Sequence, residues 1–283
     1  MSRIPRVAHF VFGLRPQIQP FHLLHYLAIE SCRRILRPEK IYLFYHHLPY
    51  GVFWDLIRPC LTLVRVELVA EVLGAEDDER RVPREYRYAH HADFIRLDAL
   101  IEHGGIYADI DTIFLRPLPG ALYEQPFVIA RDMDCVDEFT GQPRPSLCNA
   151  FLMAEPGAEF ARVWRQRMGP AINGTWTNHS GLLAHTLSRE LPASVHIEPA
   201  ESFFPVPCVP SALAALLENG PVDCERSYSV HLWAHMWWSA ARTDFSKHHA
   251  DELTLSHFRT SGSPLSAMVR PFLPDIDVDD LRL

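Results

Sequence analysis

Apolar and polar residues alternate in blocks along the first half of the chain, and the period of the alternation changes from block to block. Strand-like runs of β-branched and aromatic residues occur three times, as "RVAHFVFG", "KIYLFYHHL" and "LTLVRVELV". Between the first two, "FHLLHYLAIESCRRIL" carries apolar residues at helical spacing and stops before Pro38. Strands that alternate with helices predict an α/β fold with a parallel sheet flanked by helices.

The clearest helix is predicted over "REYRYAHHADFIRLDALIEHGG". Phe94, Leu97 and Ile101 fall there at positions i, i+3 and i+7 and form one buried stripe. Gly104 and Gly105 end this helix, since glycine readily adopts the left-handed conformation that follows a helix C-terminus. The next segment, "IYADIDTIFL", is predicted as a strand by its β-branched and aromatic content.

The second half of the chain has a weaker pattern. Short buried strands are predicted at "PFVIA" and "NAFLMA", and helices at "SGLLAHTLSREL" and "SALAALLENG". The proline-punctuated "ESFFPVPCVP" is expected to be extended, and the acidic tail "RPFLPDIDVDDLRL" to be peripheral.

Composition narrows the classes of function without selecting one. The chain has 283 residues and a formal net charge of −8, so a basic surface that binds nucleic acid is not expected. The six cysteines are scattered, and neither an export signal nor a membrane-spanning run occurs. We therefore expect reduced thiols, a cytoplasmic location and no more than peripheral contact with a membrane.

The pattern Asp-x-Asp is found in three places, at 109–111, at 132–134 and in the tail at 275–277, where 277–279 overlaps the last copy. The second and third copies have polar or acidic neighbours, and solvated surface positions are predicted for both. The first copy lies among apolar residues, where ionised carboxylates are costly unless something neutralises them. On a regular strand Asp109 and Asp111 would share a face and could bind one divalent cation. The alternative is a structural pair satisfied by backbone N–H groups or by arginine.

Two other pairs have the spacing of neighbours on a helix. Asp93 and Arg96 stand at i and i+3, which suits either a surface ion pair or a site where Arg96 meets phosphate and Asp93 meets ligand hydroxyls. His231 and His235 stand at i and i+4, a spacing that can bind zinc, although the apolar neighbours favour a buried histidine for His235.

The stretch "HADFIRLDALIEHGGIYADIDTIFLRPL" resembles the sugar-binding region of family 32 glycosyltransferases. That family includes Golgi α1,4-galactosyltransferases, and the glucosyltransferase domain of large clostridial toxins is a more distant relative. Four further segments resemble the family in the same order: "RIPRVAHFVFG", "CNAFLMAEPGAEF", "ESFFPVPCVP" and "SYSVHLWAHMWW". The chain departs from the pattern at Phe12, where tryptophan is more usual, at Ala108, and in "HSGLLAHT", which lacks the family's proline.

The resemblance implies a single GT-A domain over residues 1–283, with a Rossmann-like, mixed and mostly parallel central sheet flanked by helices. Residues 1–118 would be the nucleotide-sugar-binding half, 119–265 the acceptor half with a closing loop, and 266–283 an acidic tail. The implied reaction is the retaining transfer of galactose, glucose or N-acetylglucosamine from a UDP-sugar to a glycan, lipid or protein. Mn²⁺ or Mg²⁺ would serve as the cofactor.

The resemblance also implies roles for particular residues. The metal ligands would be Asp109, Asp111 and His231. The catalytic residues would be Asp93 and Arg96, and Asn149 is added to them as a candidate on the far face of the sugar. The nucleotide-sugar would be bound by Phe12, Asp93, Arg96, Tyr107, Asp109 and Trp238, with Trp237 as the alternative to Trp238 in the closing loop. A double displacement would need a nucleophile such as Asn149 or Glu155, whereas an internal-return route needs none.

Two other functions stay open at this point. A phosphohydrolase of the haloacid dehalogenase type also carries Asp-x-Asp after a strand, but it needs a downstream lysine, and only Lys247 qualifies. A catalytically idle protein of the same fold would bind a nucleotide-sugar without transferring it. In either transferase or binder, we expect the charges of Asp109 and Asp111 to be incompletely neutralised when no donor is bound.

Overall fold

A computed structural model describes residues 3–76, 87–132, 135–136, 141–238 and 249–276. The strands are β1 (Val7–Val11), β2 (Lys40–Tyr45), β3 (Thr62–Arg65), β4 (Gly105–Ala108), β5 (Thr112–Phe114), β6 (Phe127–Arg131), β7 (Cys135–Val136), β8 (Pro143–Arg144), β9 (Leu147–Ala154), β10 (His196–Glu198) and β11 (Ser229–His231). The helices are α1 (Leu23–Ile35), α2 (Val52–Ile57), α3 (Ala70–Glu76), α4 (Arg87–His103), α5 (Glu159–Ala171), α6 (Leu183–Glu190), α7 (Pro210–Leu217), α8 (Leu255–Thr260) and α9 (Pro264–Val269).

Seven strands form the central sheet in the order β10-β6-β9-β4-β1-β2-β3. Strands β3, β2, β1 and β4 run parallel, as the alternating first half of the sequence predicts. Strand β9 is antiparallel to both of its neighbours, β4 and β6, while β10 is parallel to β6. The sheet is therefore mixed and mostly parallel, and the predicted fold class is confirmed.

Hydrophobic cores lie on both faces of this sheet because side chains alternate along each strand. Phe10 and Ile106 belong to one core, together with the buried face of α1. Their neighbours Val11 and Tyr107 belong to the other core, where α4 and α5 pack. Most of the predicted stripe of α4 is buried there, including Phe94 and Leu97.

The prediction of one continuous strand over "IYADIDTIFL" is wrong. Strand β4 ends at Ala108, and the amide of Asp109 still donates to the Ala150 carbonyl of β9. The chain then turns, with the Thr112 amide donating to the Asp109 carbonyl, and β5 leaves the main sheet to pair with β11. Asp109 and Asp111 are therefore brought together by a turn rather than by strand alternation.

Smaller departures occur elsewhere. The strand predicted over "LTLVRVELV" is limited to β3. The helix predicted from residue 180 begins as a π-turn, Asn178–Leu182, and continues as α6. In the tail that was predicted to be peripheral, Phe272 is buried and Asp275 is exposed, while residues 277–283 lie outside the described part of the chain.

Among the side chains that the structure describes, five cysteines are free thiols: Cys32, Cys60, Cys148, Cys208 and Cys224. Among the helices of the described residues, none has the length and apolar character that crossing a bilayer requires.

Candidate metal and donor site

A cavity of about 440 Å³ opens where β1 and β4 end and β9 begins. Carboxyl ends of parallel strands are where open α/β sheets bind ligands. Because β9 runs antiparallel to β4, its first residues also lie at this edge, and Asn149 lines the cavity. Glu155 lies just after the opposite end of β9, away from the cavity, and its carboxylate pairs with Arg3 at 2.6 Å. The prediction of Glu155 as a possible nucleophile is therefore wrong.

Asp109, Asp111 and His231 converge on one point of the cavity wall. One ligand atom from each lies within 4.8 Å of the others, and they form the single such group among the residues that the structure describes. His231 Nε2 lies 3.0 Å from an oxygen of Asp111 and 3.6 Å from one of Asp109. The register between β5 and β11, which pairs Thr112 with His231, places the histidine beside the turn.

The turn that carries the two acids is held from both sides. The Tyr107 hydroxyl donates to Asp109 Oδ1 at 2.6 Å. The Ala234 amide donates to Asp111 Oδ2 at 2.8 Å. Trp233, at φ 51°, adopts the left-handed conformation that turns the chain after β11 and brings this amide toward the acid. Each carboxylate thus keeps one oxygen close to His231.

His231 is buried, and neither of its ring nitrogens makes a hydrogen bond, because the short approach to Asp111 lacks the required alignment. Burial alone would lower the pKa of His231, but the carboxylates of Asp111 and Asp109 outweigh it and raise that pKa. Burial opposes ionisation of Asp111, yet His231 and the Ala234 amide lower its pKa below the ordinary value. His231 and the two acids therefore stabilise one another's charged forms.

Arg96 lies beneath the acid pair. Its guanidinium is 3.0 Å from Asp93 and 3.3 Å from Asp109, and it donates to the carbonyl of Asn149 at 2.5 Å. The same group sits 4.5 Å from the ring centre of Tyr107. Burial works to lower the pKa of Arg96, but Asp109, Tyr107 and Asp93 raise it, so this guanidinium is permanently charged.

The carboxylate of Asp93 is buried and held at both oxygens. Asn149 Nδ2 donates to Oδ1 at 2.7 Å, and His179 Nε2 lies 2.9 Å from Oδ2. Burial would raise the pKa of Asp93, but Arg96 and His179 lower it below the usual range. The ion pair of Asp93 and Arg96 therefore belongs to the cavity, which excludes the surface-pair interpretation.

Three carboxylates in this cluster face one guanidinium. Asp93, Asp109 and Asp111 with Arg96 leave a net charge of −2, and a protonated His231 reduces it to −1. Asp109 lies beside Arg96 and Asp111 beside His231, so the incomplete neutralisation expected of these two acids stays a prediction. This arrangement suits a cation that arrives from solution.

Aromatic side chains form the rest of the wall. Phe12 packs against His25 at 4.6 Å between ring centres, and His25 stacks on Trp238 at 4.8 Å. Trp238 lines the cavity, whereas Trp237 is 1% exposed and belongs to the core, so Trp238 is the closing-loop candidate. Trp176 also lines the cavity.

Nine of the site residues predicted from the sequence line this one cavity: Phe12, Asp93, Arg96, Tyr107, Asp109, Asp111, Asn149, His231 and Trp238. His235 also lines it but stacks on Trp176 and does not join the metal-ligand group. Asp132, predicted on a surface loop, is half-buried and lines the cavity as well. The sequence reasoning missed His179 and His25, because no local spacing marks either one.

Fold and site together define a Rossmann-like α/β protein with a metal-competent acidic centre at the edge of its sheet. Residues 28–128 match the family described as "Glycosyltransferase sugar-binding region containing DXD motif". "Glucan organizing enzyme 1" of Cryptococcus neoformans var. grubii serotype A is 30% identical over 279 residues, which cover 95% of this chain and 71% of that protein. The chain belongs to this family and is a glycosyltransferase, and the resemblance to such enzymes is confirmed.

Solved structures with partial similarity are also glycosyltransferases. The galactosyltransferase LgtC, in complex with donor and acceptor sugar analogues, has a TM-score of 0.47 and 12% identity, covering 96% of this chain and 98% of its own. Apo GlyE of Streptococcus pneumoniae TIGR4 has a TM-score of 0.46 and 14% identity, covering 95% of this chain and 63% of its own. The PaToxG glycosyltransferase has a TM-score of 0.45 and 14% identity, covering 67% and 70%.

Proposed function

We propose that this glycosyltransferase moves galactose, glucose or N-acetylglucosamine from a UDP-sugar to an acceptor, with retention of configuration and with a bound Mn²⁺ or Mg²⁺. One observation carries the proposal. The metal-competent group of Asp109, Asp111 and His231 shares a single cavity with the buried pair of Asp93 and Arg96. A divalent cation and an arginine beside a sugar-binding acid are the parts that cleavage of a sugar–diphosphate bond needs.

The residues of the metal group fit a hard divalent cation. Two carboxylates and an imidazole offer oxygen and nitrogen ligands of the kind that Mn²⁺ and Mg²⁺ accept. His231 Nε2 faces both acids without an aligned hydrogen bond, so this nitrogen, once deprotonated, would be within reach of a cation that the acids hold. When bound, the cation would neutralise charge that develops on the diphosphate leaving group.

Arg96 has two tasks in this proposal. Its contacts with Asp93, Asp109 and the Asn149 carbonyl keep both acids in place. The guanidinium carries five N–H donors, so it can also donate to the diphosphate or to the donor sugar. Tyr107 supports this arrangement, since Arg96 covers its ring and its hydroxyl is bonded to Asp109. We therefore assign Tyr107 to holding Arg96 and Asp109 rather than to stacking on the uracil base.

Asp93 would accept hydrogen bonds from hydroxyls of the donor sugar. The side-chain N–H group of Asn149 donates a hydrogen bond to Asp93, and we assign Asn149 to holding that acid rather than to attack on the anomeric carbon. Phe12, half-buried in the cavity wall, would contact the nucleoside. Trp238 would close the cavity over the donor, and exclusion of water favours transfer over hydrolysis.

The proposed acceptor class rests on the name of the relative, because the cavity does not indicate one. That relative is named a glucan organizing enzyme, and we propose a glycan as the first acceptor to examine, ahead of a lipid or a protein. A cytoplasmic location, the expectation from the sequence, remains part of the proposal.

Titration with UDP tests the core of the proposal. We expect UDP to bind tightly only when Mn²⁺ or Mg²⁺ is present, and we expect Asp111→Ala to abolish that metal dependence. Asp275→Ala is the matched control, because Asp275 belongs to the other Asp-Ile-Asp copy and is exposed. Metal-independent UDP binding, or equal effects of the two substitutions, would overturn the proposal.

A panel of UDP-sugars separates the enzyme from the alternatives. Slow hydrolysis of one UDP-hexose, dependent on the same cation, supports the transferase. Binding without hydrolysis or transfer of any UDP- or GDP-sugar would indicate an idle binding protein instead. Rapid turnover of a simple phosphate ester would indicate a phosphohydrolase.

A further inference from the structure

We propose that His179 is a positioning residue that holds the carboxylate of Asp93 in the orientation needed to recognise the donor sugar. The inference rests on the proposed function, since it assigns Asp93 to the sugar. His179 is fully buried and does not line the cavity. It would therefore act through Asp93 and never touch the donor itself.

The hydrogen bond between the two side chains defines which nitrogen carries the proton. His179 Nε2 lies 2.9 Å from Asp93 Oδ2. The ionised carboxylate can only accept, so Nε2 donates. The other ring nitrogen, Nδ1, is buried and makes no hydrogen bond. All of the hydrogen bonding of this ring is therefore directed at Asp93.

The backbone around His179 forms a turn that is anchored to α5 and directs this side chain toward Asp93. His179 lies in the π-turn Asn178–Leu182, where the Leu182 amide donates to the Thr177 carbonyl. The His179 carbonyl accepts from Trp164 Nε1 at 3.1 Å, which ties the turn to α5. π-turns of this kind occur frequently at functional sites.

A glycine lets the turn come this close to the site. A Cβ atom at Gly181 would lie 2.6 Å from the Leu147 carbonyl oxygen of β9. The turn is therefore pressed directly against the strand that also carries Asn149. This close approach fixes the position of His179 relative to the start of β9.

Three separate segments thus hold one carboxylate. Asn149 and Arg96 contact Oδ1 from β9 and α4, and His179 contacts Oδ2 from the π-turn. Without His179, the Oδ2 end of Asp93 would lose its hydrogen bond, and the carboxylate could rotate. A sugar-binding acid that rotates recognises hydroxyl positions less well, because hydrogen-bond energy falls steeply with misalignment. His179 would therefore affect affinity for the sugar and selectivity among sugars, but not affinity for the nucleotide.

Two polar substitutions that carry the same amide group and differ by one methylene group test this role. In His179→Gln the amide nitrogen can reach the position of Nε2, whereas in His179→Asn it reaches only the position of Nδ1. We would measure Kd for UDP and for UDP-glucose, UDP-galactose and UDP-N-acetylglucosamine with Mn²⁺, together with kcat and KM for their hydrolysis. Circular dichroism and the unfolding midpoint of each variant are recorded in parallel.

We expect both variants to bind UDP as the wild type does. His179→Asn should lose about ten- to hundredfold in kcat/KM and in the affinity gained from the sugar, and it should narrow the differences between the three sugars. His179→Gln should keep most of the wild-type kcat/KM and most of the affinity that the wild type gains from the sugar. A purely structural role for His179 would instead lower UDP and UDP-sugar binding together.

Three outcomes would overturn the inference. They are a His179→Asn variant with wild-type sugar selectivity, a loss of UDP affinity equal to the loss for UDP-sugars, and a failure of His179→Gln to exceed His179→Asn. If the wild type itself shows no metal-dependent UDP binding, the proposed function fails, which is a separate result from these three.

Discussion

Replacing Arg96 by leucine is the most direct test of how the charges of this site are balanced. Leucine keeps part of the apolar stem and removes the guanidinium. The buried carboxylates of Asp93 and Asp109 then lose their shared cation at 3.0 and 3.3 Å. The Asn149 carbonyl loses its donor, and the ring of Tyr107 loses the charge above it.

The magnitude follows from burial. The side chain of Arg96 is 5% exposed and that of Asp93 is 9% exposed, so solvent screens their interaction little. Removing one partner of such a buried pair costs about 3–5 kcal/mol, since the remaining charge stays in a poor solvent. The cation–π contact overlaps with this loss and is not added separately. We therefore expect the free energy of unfolding to fall by about 4 kcal/mol, out of roughly 5–15 kcal/mol for a typical domain.

Urea unfolding of the metal-free protein, followed by far-UV circular dichroism, measures this change. Arg167→Leu is the matched control, because Arg167 also pairs with an acid, Glu190, but both side chains of that pair are nearly half exposed. The control should lose no more than about 1 kcal/mol. An Arg96→Leu protein within 1 kcal/mol of the wild type, or no less stable than Arg167→Leu, would refute the reasoning about buried charge.

Two further predictions concern single positions. Burial and the neighbouring His22 lower the pKa of His25 to about 3, so its neutral ring stabilises the fold at pH 7 and that contribution is lost as the pH falls below 6.5. His25→Phe should flatten the dependence of unfolding free energy on pH between 7 and 5 by up to about 1.4 kcal/mol per pH unit, and an unchanged slope would contradict this. Gly181→Ala forces a Cβ atom to 2.6 Å from a backbone oxygen, and should cost about 1–3 kcal/mol. Gly262→Ala, with nothing within 4 Å, is its control, and equal midpoints for the two variants would show that the close approach is unimportant.

The parts of the fold that depend on local pattern could be predicted from the sequence. The stripe of Phe94 and Leu97 predicts α4 because a helix repeats every 3.6 residues. The break after Ala108 could not be predicted in this way, because β5 has a strand-like composition and merely pairs with a different partner. Propensity describes single segments, whereas the choice of partner depends on the whole chain.

The same distinction applies to the site. Asp109 and Asp111 stand out in the sequence because acids among apolar residues need a neutralising group. No local spacing predicts the approach of His231 and Asn149 to these acids, because it depends on the register of β11 and on the antiparallel course of β9. His179 was missed because its partner Asp93 lies 86 residues away in the sequence. Tyr107 was predicted to contact the nucleoside, yet its ring is covered by Arg96, a contact that no spacing rule indicates.

The pairing of β5 with β11 has a consequence for the order in which this protein becomes competent during synthesis. The acid turn leaves the ribosome long before its histidine, since Asp111 and His231 are 120 residues apart. At about 5–20 residues per second, roughly 6–24 s of translation separate the two. Through that interval the nascent chain holds a carboxylate pair that lacks its imidazole and its backbone donor at Ala234. The metal centre is therefore among the last features to mature, and a nascent chain stalled before β11 would present the family's acid motif without a complete ligand set.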